Sequence, residues 1–188
     1  MQENDHETYN SIISYECEIL FQKNNGFGSA LIEGIQNSKT HYSCVFNADG
    51  SFDPKYIASM FQKLITHKLD FVFNSRYESG GSSDDDTFLT KIGNYFFTKL
   101  TNFLFNLNTT DVLFNYVLGN TNSFKSLNLQ CYDFTYCVEI FLNIKKKNFL
   151  YSSIPCHERS RLKGFKKVSE FKDGFLILIF ILKRFFFK

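Results

Sequence analysis

The 188-residue sequence contains no tryptophan and only two prolines, whereas phenylalanine occurs 24 times. This imbalance indicates a compositional bias of the whole chain and not a specialised aromatic site. The five cysteines form no C-x-x-C pair and have no regular spacing, so we expect buried, reduced thiols in a reducing compartment. Residues 1–20 contain acidic side chains but no lysine or arginine, and no signal peptide is expected there.

The remaining composition is that of an ordinary globular domain, with 44% hydrophobic and 21% charged residues, and the length allows one domain with its own core. Charge is unevenly distributed, because residues 156–188 carry nine Lys and Arg against three Asp and Glu. Such a basic end suits phosphates, an anionic membrane surface or nucleic acid, although a solvated run without function also explains it. Its lysines are not interleaved along a reading helix or an aromatic platform, so we do not expect nucleic-acid binding.

One stretch in the first third of the chain has the features of a ligand site. Strand-forming residues Cys44–Phe46 stop at a polar turn. The turn holds Asn47, Asp49 and Ser51, and an Asp-Pro pair at residue 53 predicts the start of a helix. Open α/β sheets bind ligands at the carboxyl ends of their strands. Carboxylate and amide oxygens there suit a hard divalent cation that also contacts a phosphate, although a chance acidic turn has the same pattern.

A second buried strand is predicted at Leu69–Phe73, and Arg76 follows its carboxyl end. The planar guanidinium makes bidentate, charge-assisted hydrogen bonds, which suit a diphosphate. An ordinary surface arginine is the alternative. The acidic residues 78–86 predict a mobile loop that folds over a bound ligand or remains solvated.

Periodicity and turn residues predict the remaining elements. These are a strand at Cys17–Phe21, a helix at Gly28–Asn37, a long amphipathic helix at Phe88–Leu107, a helix at Asp133–Lys147, an edge strand at Phe149–Pro155 and an apolar tail at Phe175–Leu182. Eight apolar residues are too few to span a bilayer, so the tail predicts an interfacial helix with basic anchors, the start of a longer segment, or a helix packed on the domain.

Two blocks of the sequence follow a recognisable pattern: residues 26–30 resemble G-x-G-x-A, and residues 47–54 resemble D-A-D-x-x-H-x-P. With these blocks the sequence resembles the inverting family-2 glycosyltransferases, and the dolichol-phosphate-mannose-synthase-like branch in particular. Asp49 matches the second Asp of the metal-binding D-x-D, but Asn47 replaces the first and brings no charge, so metal affinity should fall. The resemblance implies that Asp49, helped by Asn47 and Ser51, holds Mg²⁺ or Mn²⁺ on the diphosphate of a sugar nucleotide.

Further matches imply how the donor is bound. Residues 74–77 resemble G-S-R-Y, and residues 161–167 resemble R-x-x-G-x-S-K. Arg76, Arg161 and Lys167 would accordingly offset the charge of the leaving diphosphate. The Gly26-x-Gly28 pair is no dinucleotide fingerprint, but the helix that follows would point its N-terminus towards the pyrophosphate. Asp5 weakly matches a turn that touches the nucleotide, and a frayed terminus is the alternative.

The acceptor side is matched less well. The family pattern D-x-x-S-G-F-R begins at Asp111, but Asn115, Tyr116 and Val117 replace its Gly, Phe and Arg. Asp111 would face the acceptor as a general base, or it is a turn residue. A lipid-phosphate acceptor is already ionised and needs only positioning and charge neutralisation.

The resemblance covers about residues 17–167 and implies an α/β fold. We expect a three-layer, mainly parallel sheet of the glycosyltransferase-A type that lacks its first strand, because the family's opening P-x-Y-N-E-like segment is absent from the sequence. The predicted organisation is a catalytic domain over residues 1–167, incomplete at its N-terminus, followed by a membrane-associating helix over residues 168–188.

The predicted function is transfer of a sugar from a nucleotide-diphosphate sugar, with inversion. The expected acceptor is a polyprenyl phosphate or a lipid-linked glycan, and the expected location is the cytoplasmic face of the membrane. The alternative is a catalytically inactive remnant or partner subunit, which the missing first strand and Asn47 favour.

Overall fold

The computed structural model describes residues 1–162 and 169–187. In chain order the elements are α1 (His6–Ile12), α2 (Phe27–Asn37), β1 (Tyr42–Val45), α3 (Lys55–Thr66), β2 (Phe71–Ser75), β3 (Ser82–Ser83), α4 (Phe88–Phe105), β4 (Val117–Asn120), α5 (Thr121–Ser126), α6 (Tyr136–Lys146), β5 (Tyr151–Pro155), β6 (His157–Glu158) and α7 (Glu170–Phe186).

The central sheet has four strands in the order β1-β4-β2-β5. Strand β4 is antiparallel to both of its neighbours, and β2 is parallel to β5, so three of the four strands run in one direction. The sheet is therefore mixed: three strands share the predicted common direction, but two of the three strand pairings are antiparallel because β4 lies between β1 and β2. Strand β5 lies at one edge, as its terminal proline predicts, and within the described residues no strand pairs with the outer edge of β1.

Apolar side chains of the strands alternate between two cores. Phe71 and Phe73 belong to the larger core with residues of α2, α6 and α7. Val72, between them in sequence, belongs to the smaller core with Met60 and Leu64 of α3. Because successive strand residues point to opposite faces, one strand contributes to both cores. Helices thus cover the sheet on both sides, and the predicted three-layer α/β arrangement is confirmed.

The predicted strand at Cys17–Phe21 is wrong. A strand exists through a hydrogen-bonded ladder with a neighbour, and this segment pairs instead with the first residue of the chain. The Gln22 amide donates to the Met1 carbonyl at 2.8 Å, and the Met1 amino group donates to the Leu20 carbonyl at 2.8 Å. The thiols follow the expectation in part, since Cys137 and Cys156 are buried but Cys17 is exposed.

The C-terminal helix α7 packs on the domain with one face. Ile177 and Ile181 are buried in the larger core, and Arg184 donates to Glu139 of α6 at 3.1 Å. Most of its remaining apolar side chains are exposed. Among the helices of residues 1–162 and 169–187, none is both long and apolar enough to cross a bilayer. A membrane-associating role for residues 168–188 stays a prediction.

Candidate functional site

A cavity of about 450 Å³ opens where the parallel strands β1 and β2 end. Asn47 and Asp49, which follow β1, and Arg76, which follows β2, lie in its wall. Arg161 and Asp85 line it as well, from loops after β6 and before α4. The apolar part of the lining consists mainly of these residues: Phe27, Phe52, Phe97, Leu113, Phe114, Phe134 and Ile177. The structure therefore brings together side chains that the sequence places as far as 150 residues apart, from Phe27 to Ile177.

The turn after β1 fixes the carboxylate of Asp49. Its Oδ1 accepts hydrogen bonds from the Ser51 amide at 3.0 Å and from the Ser51 hydroxyl at 2.7 Å. Gly50 has φ +87°, a conformation that a side chain would disfavour. Ser51 is buried and does not line the cavity in the part of the chain that the structure describes. Its hydroxyl thus orients Asp49, and direct metal ligation by Ser51 stays a prediction.

The oxygens at this end of the cavity fit a hard divalent cation. Asp49 supplies a carboxylate and Asn47 an amide oxygen, both typical ligands of Mg²⁺ and Mn²⁺. Over the described residues, no group of three or more His, Cys, Asp and Glu side chains could hold a metal by itself. A cation here would need additional ligands from a bound phosphate or from water.

Arg161 reaches the same end of the cavity because backbone contacts hold its segment against the Asp49 turn. The Leu162 amide donates to the Asp49 carbonyl at 2.8 Å, and the Arg159 amide donates to the Ser51 carbonyl at 3.0 Å. The Arg161 guanidinium makes a bidentate pair with Asp85, at 3.1 and 2.6 Å. This pair raises the pKa of Arg161, and about a quarter of the Arg161 side chain is exposed, so it remains reachable from the cavity.

Arg76 has very different surroundings. Only 7% of its side chain is exposed, and its guanidinium donates to both oxygens of Asp111, at 2.8 and 3.0 Å. It also donates to Asp86 and to Glu158, each at 3.2 Å, and it lies over the Phe114 ring. Burial opposes its charge, but these carboxylates outweigh burial and raise the pKa of Arg76. Burial in turn raises the pKa of Glu158.

Asp111 is part of this buried ionic cluster. It is 1% exposed and does not line the cavity within the described residues. Both of its oxygens accept from Arg76, so the contacts give Asp111 and Arg76 a structural part in the site. That Asp111 faces the acceptor and that Arg76 offsets the charge of the leaving group stay predictions.

Ion pairs hold the acidic loop before α4 at the edge of the cavity. Its three consecutive carboxylates each pair with a different basic residue: Asp84 with His157, Asp85 with Arg161, and Asp86 with Arg76. Strand β3 also pairs with β6 in parallel. Of the two alternatives for residues 78–86, the solvated loop does not describe these pairs, whose partners come from distant segments, and closure over a ligand stays a prediction.

The two glycines of the G-x-G pair allow the start of α2 to pack closely against the segment before α6. A Cβ at Gly26, which has φ +123°, would lie 2.2 Å from the Tyr132 carbonyl oxygen. A Cβ at Gly28 would lie 2.1 Å from the Cys131 carbonyl oxygen. The N-terminus of α2 is therefore pressed against the segment before α6, and Phe27 between the two glycines lines the cavity.

The remaining predicted site residues are Asp5, the two glycines and Lys167. Asp5 accepts from the Thr8 amide at 3.1 Å and so caps α1. Within residues 1–162 and 169–187, Asp5, Gly26 and Gly28 do not line the cavity. Lys167 lies outside the described residues. Nucleotide contact by the first three and leaving-group contact by Lys167 stay predictions.

Sequence reasoning missed several polar residues of the cavity wall, and Asp85, Asn115 and Glu158 are among them. The run of three aspartates gave a signal for Asp85, and the replacement of a family glycine gave one for Asn115. Nothing in the sequence indicated Glu158, because its partner Arg76 is 82 residues away.

Comparison with known proteins assigns the chain to a family. The sequence model described as "Glycosyl transferase family 2" matches residues 6–127, which is more than half of the chain. The chain belongs to glycosyl transferase family 2. The expectation of a family-2 member is therefore confirmed, and the finer branch is not resolved by the match.

Solved structures agree on the fold of this family-2 chain. It is similar to glucosyl-3-phosphoglycerate synthase from Mycobacterium tuberculosis in complex with UDP, with a TM-score of 0.60 at 11% identity over 86% of this chain and 55% of that one. The same enzyme with phosphoglyceric acid gives a TM-score of 0.62 at 11% identity, over 90% and 57%. With Mn²⁺ and UDP-glucose it gives 0.56 at 15% identity, over 90% and 56%.

The chain thus spans just over half the length of the solved structures that it matches. At these identities the likeness shows the fold alone. The glycosyltransferase-A type of α/β fold is confirmed.

Proposed function

We propose that the chain transfers a sugar from a nucleotide-diphosphate sugar to an acceptor, with inversion at the anomeric carbon. The observation that carries the proposal is that Asp49, Asn47 and Arg161 line one cavity at the ends of parallel strands. That cavity combines oxygen ligands for a cation with a guanidinium for a phosphate. Membership in glycosyl transferase family 2 supports this reading.

Asp49 and Asn47 would hold Mg²⁺ or Mn²⁺ on the donor diphosphate. The bound ion would supply positive charge that offsets the charge of the leaving group. A similar solved structure contains Mn²⁺ together with UDP-glucose, which supports this assignment. Arg161 would add charge-assisted hydrogen bonds to the same diphosphate, and Lys167 would contribute a further positive charge.

We propose that Arg76 and Asp111 do not contact the donor and instead stabilise the cavity wall around it. The buried cluster of Arg76, Asp111 and Glu158 fixes the wall from which Phe114 and the acidic loop project. Fixed surroundings hold Asp49 and Arg161 in place without reorganisation during the reaction. Asp111 would reach an acceptor only if that wall opened.

The proposed acceptor is a polyprenyl phosphate or a lipid-linked glycan at the cytoplasmic face of a membrane, as in the dolichol-phosphate-mannose-synthase-like branch. Helices α4 and α7 pack on each other, and both carry exposed apolar side chains together with lysines. These side chains are Phe88, Leu89, Ile92, Phe96 and Phe103 of α4 and Phe171, Phe175, Leu176, Ile179, Leu182 and Phe186 of α7. An apolar face with basic residues suits an anionic bilayer surface.

The transfer proposal is tested by incubating the purified chain with Mn²⁺ and a panel of UDP- and GDP-hexoses, with and without a polyprenyl phosphate. Release of nucleotide diphosphate and formation of a glycosylated lipid are measured. A version extended upstream of Met1 is assayed in parallel, because the chain spans just over half of its structural relatives. Turnover by either version supports the proposal. Absence of turnover in both contradicts it and favours an inactive remnant or partner subunit.

The membrane proposal has its own test, flotation of the chain with phosphatidylcholine vesicles that contain or lack phosphatidylglycerol. The double variant Phe171→Ser/Phe175→Ser should lose binding to the anionic vesicles. Leu150→Ser removes an exposed apolar side chain outside α4 and α7 and should keep it. Equal recovery of all three proteins with both vesicle types would contradict the proposed surface.

A further inference from the structure

One buried side chain in the cavity wall has no hydrogen-bond partner. Asn115 is 6% exposed, and neither its amide nitrogen nor its amide oxygen forms a hydrogen bond among the described residues. A buried amide without partners is costly, because it has given up its hydrogen bonds to water. Native proteins keep few such groups, and each calls for an explanation, such as a bound molecule that supplies the missing partners.

The position of Asn115 points to a ligand. It lies in the loop between Asp111 and β4, and it lines the same cavity as Asp49 and Arg161. A second buried polar group, the Tyr136 hydroxyl, also lacks a hydrogen bond of acceptable geometry. Burial raises the pKa of Tyr136, and the nearby Asn115 amide acts in the opposite direction. Among the described residues Tyr136 does not line the cavity, so it is the Asn115 amide that presents an unpaired donor and an unpaired acceptor in the wall.

We propose that the Asn115 amide binds a hydroxyl of the hexose that the donor carries, and so contributes to sugar recognition. The inference rests on the proposed function of this cavity. An amide offers two donors and one acceptor oxygen without net charge. A sugar hydroxyl donates and accepts at once, so it satisfies both kinds of atom.

A charged group is the poorer match for this position. The cations and carboxylates that suit a metal-bound diphosphate, Arg161 and Asp49, are contributed by other parts of the same cavity. Leu113 and Phe114, the two residues that precede Asn115 in the sequence, are apolar and line the cavity as well, as does Phe134. An apolar wall with one unpaired amide is typical of a site that binds an uncharged ligand group and fixes its orientation.

The test compares the affinity for a nucleotide diphosphate with the affinity for the same nucleotide carrying a hexose. Calorimetry with UDP, UDP-glucose, GDP and GDP-mannose gives the gain in affinity due to the sugar. In Asn115→Ala that gain should fall about tenfold for the sugar nucleotide that binds wild type best, because one neutral hydrogen bond is lost. Binding of UDP and GDP alone should not change.

Asn94→Ala is a matched control, because Asn94 is 7% exposed and lines the same cavity but donates to the Tyr77 hydroxyl at 2.9 Å. Asn94→Ala should lower Tm, since it removes the hydrogen bond to the Tyr77 hydroxyl, and should keep the gain due to the sugar. Asn115→Ala should lower Tm less than Asn94→Ala does, since the Asn115 amide makes no hydrogen bond of acceptable geometry among the described residues.

The outcomes separate this inference from the proposed function. If neither the wild-type chain nor the version extended upstream of Met1 binds any of the four nucleotides, the proposed function fails. If wild type binds them and Asn115→Ala keeps the full gain due to the sugar, the role of Asn115 alone is overturned. A fall in Tm with equal weakening of UDP and UDP-glucose would also overturn it, because that pattern indicates a structural residue.

Discussion

Two arginines predicted to do the same work, Arg76 and Arg161, have opposite surroundings. Arg76 is enclosed by Asp86, Asp111 and Glu158 and is nearly inaccessible. Arg161 pairs with one carboxylate, Asp85, and is partly exposed to the cavity. The difference divides the site into a buried framework around Arg76 and an open rim formed by Asp49 and Arg161.

The division has an energetic meaning. A buried charge depends on every partner it has, because removal of one leaves an uncompensated charge in a medium that cannot solvate it. An exposed pair contributes little to stability, but its members can exchange partners with a ligand. Framework variants should therefore change stability first, and rim variants should change donor affinity first.

The largest effect is expected for Asp111→Ala in the framework. It removes the carboxylate that accepts two hydrogen bonds from buried Arg76. We expect a loss of about 3–5 kcal/mol in the free energy of unfolding. Urea denaturation measures the loss. A change in the free energy of unfolding below about 1 kcal/mol would show that Asp111 behaves like a rim residue, and the distinction between framework and rim would then fail.

The next effect is expected for Arg161→Ala at the rim. Loss of charge-assisted hydrogen bonds to a diphosphate should weaken UDP or GDP binding about 10- to 100-fold. Stability to urea should stay within about 1 kcal/mol of wild type, because the pair with Asp85 is partly exposed. Nucleotide affinity equal to that of wild type would show that Arg161 does not contact the diphosphate.

A smaller effect tests whether the G-x-G pair belongs to the framework. Gly28→Ala places a Cβ against the Cys131 carbonyl and should cost about 1–3 kcal/mol of stability. Gly34→Ala is the control, since nothing lies within 4 Å of its Cβ in the middle of α2, and it should gain about 0.5–1 kcal/mol. If Gly28→Ala weakens nucleotide binding without loss of stability, the glycine belongs to the rim.

The smallest effect is expected for Asp85→Asn. The pair that it breaks is partly exposed, so the free energy of unfolding should change by less than about 1 kcal/mol. Thermal denaturation with Asp111→Ala measured alongside gives the contrast directly. A loss as large as that of Asp111→Ala would contradict the division into framework and rim.

Local patterns predicted the part of the site that is local in sequence. The strand, polar turn and helix of residues 42–64 follow from β-propensity, turn residues and helical periodicity, and the structure has β1 and α3 there. The family resemblance then implied the fold type. Arg161 was also found from its motif, although its partner Asp85 was not.

The framework could not be predicted in the same way. The partners of Arg76 lie 10, 35 and 82 residues away, so only the tertiary fold brings them together. Strand β4 was missed because four residues with a glycine carry a weak local signal, although its place between β1 and β2 makes it central. The predicted strand at 17–21 was wrong because its alternation had no neighbouring strand to pair with.

The central claim is that Asp49 and Arg161 form a cation-dependent diphosphate site. Calorimetric titration of UDP and GDP into the wild-type chain, with Mn²⁺ and with the metal chelated, tests it most directly when Asp49→Asn is measured in parallel. We predict that at least one nucleotide binds wild type only when Mn²⁺ is present and that Asp49→Asn loses this binding. Flat heats for both nucleotides, or binding that neither Mn²⁺ removal nor Asp49→Asn changes, would contradict the claim.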